Sequence, residues 1–394
     1  MLMTDKDVCC GCSACAACCP VGAITMRPDG EGFIYPIIDK TKCVKCGLCN
    51  QGCPVLNSAS KRTPLQVHAA KAKDDSFRLG SSSGGIFSLL ATNVISNGGL
   101  VFGAAFDASD WHVCHCSAEN EEQLAGLRGS KYVQSDIGNA YSSIAQALKI
   151  GREVMFTGTP CQIAGLKSYL GCGIVESGRL LLVDVACHAV PSPLAWKKYL
   201  EKRVCEAYKE KVDVFECVSR ISFRSKDCGW KKYSVSLKFA NGMEYLCTYS
   251  EDAFMRGFLA ELYNRPSCHN CSFRKFKSGS DITIADYWGV STKFPEMDDD
   301  KGTSLILLNT DQGIRAWQAI ECATEHLESD FGHAVKYNSA LICSKSPHPH
   351  RDRFFSEVAG KDFDSVVDYC LRPSFSIRFR RYVVRLLKKL GAKK

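Results

Sequence analysis

Two runs of cysteine stand out for their spacing: Cys9-x-x-Cys12-x-x-Cys15-x-x-x-Cys19-Pro20 and Cys43-x-x-Cys46-x-x-Cys49-x-x-x-Cys53-Pro54. This duplicated run is the pattern by which bacterial ferredoxins hold two [4Fe–4S] clusters. Three thiolates two residues apart wrap one cubane, and the fourth reaches the other cluster. The spacing therefore assigns Cys9, Cys12, Cys15 and Cys53 to one cluster, and Cys43, Cys46, Cys49 and Cys19 to the second. The following prolines turn the chain away, since Pro fixes φ and donates no hydrogen bond. A zinc knuckle needs ligands in pairs and fits this spacing poorly. Cys10 and Cys18 fall off the period and read as bystanders.

Four more thiols sit where a fold could gather them. Cys161 lies in Thr157-Gly158-Thr159-Pro160-Cys161, between a buried strand and a helix, where a helix N-terminus would lower its pKa. Cys187-His188 ends another strand, and Cys268-x-x-Cys271 follows a helix. Four thiolates are the count for a third [4Fe–4S] cluster and equally for structural zinc. Ten further cysteines, among them Cys114 and Cys116, show no ligand spacing and read as buried small residues.

Phosphate chemistry is suggested by Ser81-Ser-Ser83-Gly84-Gly85 before a helix, where backbone N–H groups and the helix N-terminus favour an anion. The alternative is a plain serine cap. Ser130-Lys131-Tyr132 lies in a basic loop, and Asp286-Tyr-Trp-Gly289 closes a strand. His188 and Asp286 are the candidates by position for a general acid.

Elements must position these groups. Strand-like and helical periods alternate from Leu65 to about residue 211, which argues for an α/β core. Three strands follow between Arg220 and Tyr249, with Asn241-Gly242 as a hairpin turn. Strands at 281–288 and 304–309 and a helix at 311–323 come next, then a loop at 345–353 and a helical tail. The expected class is α+β with an α/β core: a ferredoxin-type domain over 1–60, a mixed α/β domain over 65–310, and a C-terminal extension over 311–394.

Composition narrows the rest. The chain has 394 residues, 24 cysteines and a net charge of +8. Nine basic residues and no acid lie between Arg372 and Lys394, so the remainder carries about −1. A neutral body gives no footprint for nucleic acid. Cluster thiolates need a reducing compartment, and neither a signal peptide nor a membrane span is expected, so the expected location is cytoplasmic. Phe375, Phe379, Val383, Leu386 and Leu390 share one helical face opposite the tail's basic residues. Such a helix could touch the inner membrane surface or dock on its own protein.

Read in order, SSSGGIFS, RGSKYVQS, FTGTPCQIAGL, CHAVPSP, FRSKDCGW, CHNCSFRK and DITIADYWGV resemble the beta subunit of coenzyme F-420 hydrogenase/dehydrogenase, in the bacterial type with an N-terminal dicluster domain. The resemblance runs from about residue 65 to about residue 300. It implies FAD held by the Ser83–Gly85, Ser130–Tyr132, Thr157–Pro160 and Asp286–Gly289 stretches, and an iron–sulfur cluster nearby. It also implies electron exchange with a ferredoxin or another oxidoreductase subunit, and a small organic or deazaflavin substrate. Bacterial relatives often resemble parts of surface-polysaccharide pathways. The rival reading is an electron-transfer subunit that relays current to a partner and has no substrate of its own.

Overall fold

The computed structural model describes residues 5–175, 177–209 and 213–372. The basic tail lies outside them. Among the described residues no helix is long and apolar enough to cross a membrane.

The two cysteine repeats are also repeats of backbone geometry. Gly11 and Lys45 occupy equivalent positions and both adopt left-handed φ, at 67° and 57°. Ser13 and Gly47, two residues on, do the same at 65° and 80°. A non-glycine residue in that region is uncommon, so Ser13 and Lys45 hold it because the loop must curl. Each loop enters a helical turn, Ala14–Ala17 or Leu48–Gln51. Between the repeats runs an antiparallel hairpin that the cysteine pattern does not announce, β1 (Ile24–Pro28) and β2 (Ile34–Ile38).

The core is a nine-stranded mixed sheet. Its strands are β3 (Gln66–Ala72), β4 (Leu100–Phe106), β5 (Val113–Ala118), β6 (Ser135–Asp136), β7 (Val154–Gly158), β8 (Leu180–Val185), β12 (Ile282–Asp286), β13 (Ser304–Leu308) and β14 (Thr324–Glu328). Their spatial order is β14-β3-β13-β12-β8-β7-β4-β5-β6, and β12, β8, β7 and β4 run parallel. Strands buried on both faces read as continuous apolar runs, and the wholly buried Ser304–Leu308 (SLILL) is one. The helix Ile86–Ser96 covers one face through Ile86, Leu90 and Val94. The helices Ala140–Lys149 and Pro160–Leu170 cover the other, and Cys12 and Ala14 join that same apolar layer. The dicluster region is thus packed into the core.

A second, antiparallel sheet holds β9 (Val218–Ser225), β10 (Ser234–Phe239) and β11 (Glu244–Thr248), with Asn241-Gly242 at the turn its sequence predicts. Aromatic rings of Trp196, Tyr199, Phe223 and Phe254 bind this sheet to the helix Pro193–Tyr208.

The segment beyond residue 310 is not an appendage. β14 pairs with β3 along the edge of the central sheet. Arg351–Glu357 is a helix although its first residues fall in a stretch read as loop, and with Phe363–Leu371 it buries Phe354, Phe363 and Val367 in the aromatic core. Burial of these side chains ties the segment to the body.

Candidate functional site

Cys9, Cys12, Cys15 and Cys53 line one cavity of about 350 Å³, closed by Met26, Pro36, Pro54 and Val55. These are three thiols of the first repeat and the last of the second. Burial pushes the Cys15 thiol up to about 12, with the charges of Cys9 and Cys53 adding to it. A site this dry holds thiolates only when a cation compensates them, as cluster iron does. Of the other set, Cys19, Cys43 and Cys49 are half-buried and Cys46 is exposed. Cys18 stands close enough to Cys49 to feel its charge.

A larger cavity, about 730 Å³, opens at the carboxyl ends of β7 and β8. Cys161 reaches it from the first turn of the helix Pro160–Leu170, Cys187 from the loop after β8, Cys268 from the turn Pro266–Asn270 and Cys271 from the residue after that turn. A fifth thiol, Cys10, lines both this cavity and the smaller one. The off-period cysteine read as a bystander is therefore the side chain that the two cavities share. Among the described residues the only three donors whose ligand atoms all lie within 4.8 Å of one another are elsewhere, at Asp107, His112 and Cys114. The thiols of the larger cavity are spread too widely for a single ion.

The pKa expected for Cys161 is overturned. Its thiol is pushed well above the ordinary value, first by its hydrogen bond with Cys10 and then by burial. Those effects outweigh the helix N-terminus. Burial likewise raises Cys187, and Cys268 to about 12.

Two arginines frame the cavity, Arg265 buried and Arg274 half-buried, and neither was singled out by sequence. Arg265 donates Nε–H to Cys9 O at 3.0 Å and Nη2–H to Ile34 O at 3.1 Å, with its guanidinium 4.2 Å from the centre of the Tyr35 ring. Arg274 donates to the carbonyls of Cys187, Ala340 and His188. Their charges lie against cysteine-bearing backbone, where anionic clusters would be balanced.

The serine, lysine and aspartate stretches meet along the same edge of the sheet. Ser82 Oγ accepts from Ser130 N–H at 2.8 Å. Lys226 donates to Ser83 O at 2.8 Å, to Lys301 O at 2.7 Å and to Arg78 O. Arg224 pairs with Asp286 at 2.8 Å and lies over the Tyr233 ring at 3.8 Å. Trp230 donates to Asp286 at 3.3 Å and stacks on Trp288 at 4.8 Å. Lys131 donates to Gly126 O and Arg128 O, and burial lowers its pKa to about 7. The helix Ile86–Ser96 begins at Gly85, at φ 89°, and no side chain caps its first turn. An open helix N-terminus with Arg224 and Lys226 bonded to the carbonyls of Ser82 and Ser83 just before it suits an anionic cofactor. Arg224, Lys226 and Trp230 all lie in FRSKDCGW, a segment whose likeness was visible while the roles of its residues were not.

Some expected residues have a local reason to be there. A Cβ on Gly84 would stand 2.5 Å from Ala70 O, and one on Gly289 would stand 2.4 Å from the Tyr337 ring. Thr157 O takes a bond from His115, Thr159 N–H is capped by Gln162, and Pro160 lines the larger cavity. That stretch faces the cysteines. His188 and Asp286 follow adjacent parallel strands but have different partners, His188 Nε2 lying 2.6 Å from Glu261 Oε1. Of the cysteines read as buried, Cys217 and Cys370 are so, while Cys116, Cys205, Cys228, Cys322 and Cys343 are exposed.

Comparison with known proteins places the whole. Residues 151–325 match the model for the C-terminal part of the coenzyme F420 hydrogenase/dehydrogenase beta subunit, and residues 8–57 match the 4Fe-4S dicluster domain. The chain thus carries a segment of the coenzyme F420 hydrogenase/dehydrogenase beta-subunit type beside a 4Fe-4S dicluster domain. It is an iron–sulfur protein of an oxidoreductase family. It is 27% identical over 174 residues to the F subunit of the F(420)H(2) dehydrogenase of Methanosarcina mazei, covering 40% of this chain and 47% of that one. It is 26% identical over 172 residues to coenzyme F420-dependent sulfite reductase of Methanocaldococcus jannaschii, covering 42% and 26%. A ferredoxin of Pyrobaculum islandicum is 34% identical over 83 residues, 21% of this chain and 70% of that one. The chain thus spans less than half the length of the first two relatives. The F420-reducing [NiFe] hydrogenase complex of Methanosarcina barkeri aligns with 71% of this chain and 91% of that chain, at TM-score 0.47 and 16% identity. Within the family segment lie Cys161, Cys187, Cys268, Cys271, Arg224 and Asp286; Cys10 and the Ser81–Gly85 loop lie before it.

Proposed function

We propose that this chain is an iron–sulfur flavoprotein oxidoreductase that moves electrons between its dicluster domain and FAD on the carboxyl edge of the sheet. Cys161, Cys187, Cys268 and Cys271 would hold a third [4Fe–4S] cluster between them. The observation that carries this reading is Cys10, which lines the smaller and the larger thiol cavity at once. Cluster-binding groups in such contact give a short route for single electrons. The wide spread of the four thiols favours a cluster over the zinc alternative.

FAD, when bound, supplies the ability to exchange electrons singly or in pairs. The chain's share is binding and electrostatics. Ser83, Gly84 and Gly85 would present the open helix N-terminus to the phosphates, with Ser130, Lys131, Tyr132 and Lys226 alongside. Asp286 holds Arg224 in place, and Gly289 lets the strand end turn under Tyr337. His188, one residue from Cys187, lies against the Glu261 carboxylate. In this reading both proposed acids act as positioning groups. The substrate would be a small organic or deazaflavin-type molecule.

The exposed Cys46 beside the second cluster position favours entry of electrons from a partner protein, and with it the relay alternative. Anaerobic purification with iron and flavin quantitation separates the two readings. About twelve iron per chain with releasable FAD is the expected result. About eight iron and no flavin would leave only the relay.

A further inference from the structure

Cys114 and Cys116 play no part in the proposed electron path, yet their sulfurs stand 3.4 Å apart on β5. In the β4–β5 hairpin Ala105 pairs with Cys114 and Gly103 with Cys116, so small residues face both thiols across the ladder. Side chains two apart on a strand share a face, which puts His112 in line with them. Asp107 and His112 close the hairpin, with Asp107 N–H donating to His112 O at 2.9 Å. One ligand atom each of Asp107, His112 and Cys114 lies within 4.8 Å of the others.

We propose that Asp107, His112 and Cys114, with the exposed Cys116 turning in from beside Cys114 as the fourth donor, bind one thiophilic divalent cation, zinc by preference. Two thiolates, an imidazole and a carboxylate make a tetrahedral zinc donor set. Sulfurs at about 2.3 Å from zinc stand roughly 3.8 Å apart in such a site, so the observed pair needs to open by only a few tenths of an ångström. The two thiol protons leave to solvent as the ion binds.

Two further observations point to a built site. Asp110 engages Nδ1 of His112, which leaves Nε2 for a metal, the arrangement in which a carboxylate orients a ligating histidine. The turn itself is pinned. Trp111 takes a left-handed φ of 56°, a rare state for a bulky side chain. It is buried, and its carbonyl accepts Trp196 Nε1–H at 2.9 Å.

The test uses the full iron-loaded chain, incubated with zinc chloride and passed through a desalting column. Zinc and iron are then counted and the zinc X-ray absorption edge recorded, which iron does not obscure. About one zinc per chain is expected, with two sulfurs near 2.3 Å and two lighter atoms near 2.0 Å. The double variant Cys114→Ala/Cys116→Ala should lose that zinc with iron unchanged. Asp110→Asn, an exposed change, should weaken zinc binding tenfold or more and decides the matter if the double variant fails to fold. No retained zinc, zinc kept by the cysteine-free variant, a four-sulfur shell, or a Cys114–Cys116 disulfide in the intact protein would each overturn the proposal.

Discussion

The two ends of the proposed electron path are built by opposite means. The smaller cysteine cavity draws its chemistry from short local runs, Cys9–Cys15 above all, and the backbone repeats along with the sequence. The proposed anion-binding end is assembled from segments near residues 78–85, 126–131, 224–230 and 286–288, joined by hydrogen bonds and an ion pair. A soft metal cluster needs ligands of one type at fixed reach, which a short motif can encode. A large anionic cofactor needs a surface, and a surface is a tertiary product.

The contrast can be broken by crossing the two losses. Cys15→Ser should remove about four iron per chain and abolish electron transfer through the dicluster domain, while flavin content stays intact. Retention of full iron would refute the ligand set. Arg224→Met should do the reverse, leaving iron intact and emptying the flavin site. Removing one partner of a buried pair costs about 3–5 kcal/mol, so chemical denaturation should show that loss, and Asp286→Asn a smaller one. Loss of iron in Arg224→Met would mean that the two ends are not separable.

A smaller effect is expected where the two cavities join. Arg265 is buried and donates to Cys9 O and Ile34 O, so it ties the first repeat to the hairpin beside it. Arg265→Met leaves both carbonyls unpaired and should cost about 2–3 kcal/mol, with Arg265→Lys recovering part. Limited proteolysis between the dicluster region and the core should then become faster. An unchanged cleavage rate would show that apolar packing of Cys12 and Ala14 holds the join alone.

How much of this was legible follows from range. The cysteine repeats, the Asn241-Gly242 hairpin and the helix Pro160–Leu170 all carry local signals, namely period, turn residues and a proline at the first helical position. β14 carried none. Its residues TEHLE show no apolar alternation, and only pairing with β3, some 250 positions earlier, makes it a strand. Cys10 gave no signal for the same reason, because a Cys-Cys doublet has no period and its neighbour Cys161 lies far along the chain. Arg224 and Lys226 sat in a recognisable segment, but their roles are set by Asp286 and Ser83 in other loops.

The finest test concerns a single proton at the anion end. Burial, then the nearby charges of Arg78 and Arg224, lower the pKa of Lys226 to about 8. In the unfolded chain a lysine holds its proton to about 10.4. Between these values the unfolded state binds the extra proton, so stability should rise as pH goes from about 8 to about 10. Below about 8 both states are protonated and the penalty is constant. Lys226→Met should flatten that rise, and melting curves taken across this range in both proteins measure it. Parallel profiles would show that Lys226 is not the group responsible. A phosphate placed beside Lys226 stabilises its charged form, so flavin binding should take up a proton in the same window and tighten as pH falls towards 8. Calorimetry in two buffers of different ionisation heat reads that proton directly, and its absence in Lys226→Met would place the phosphates at this lysine.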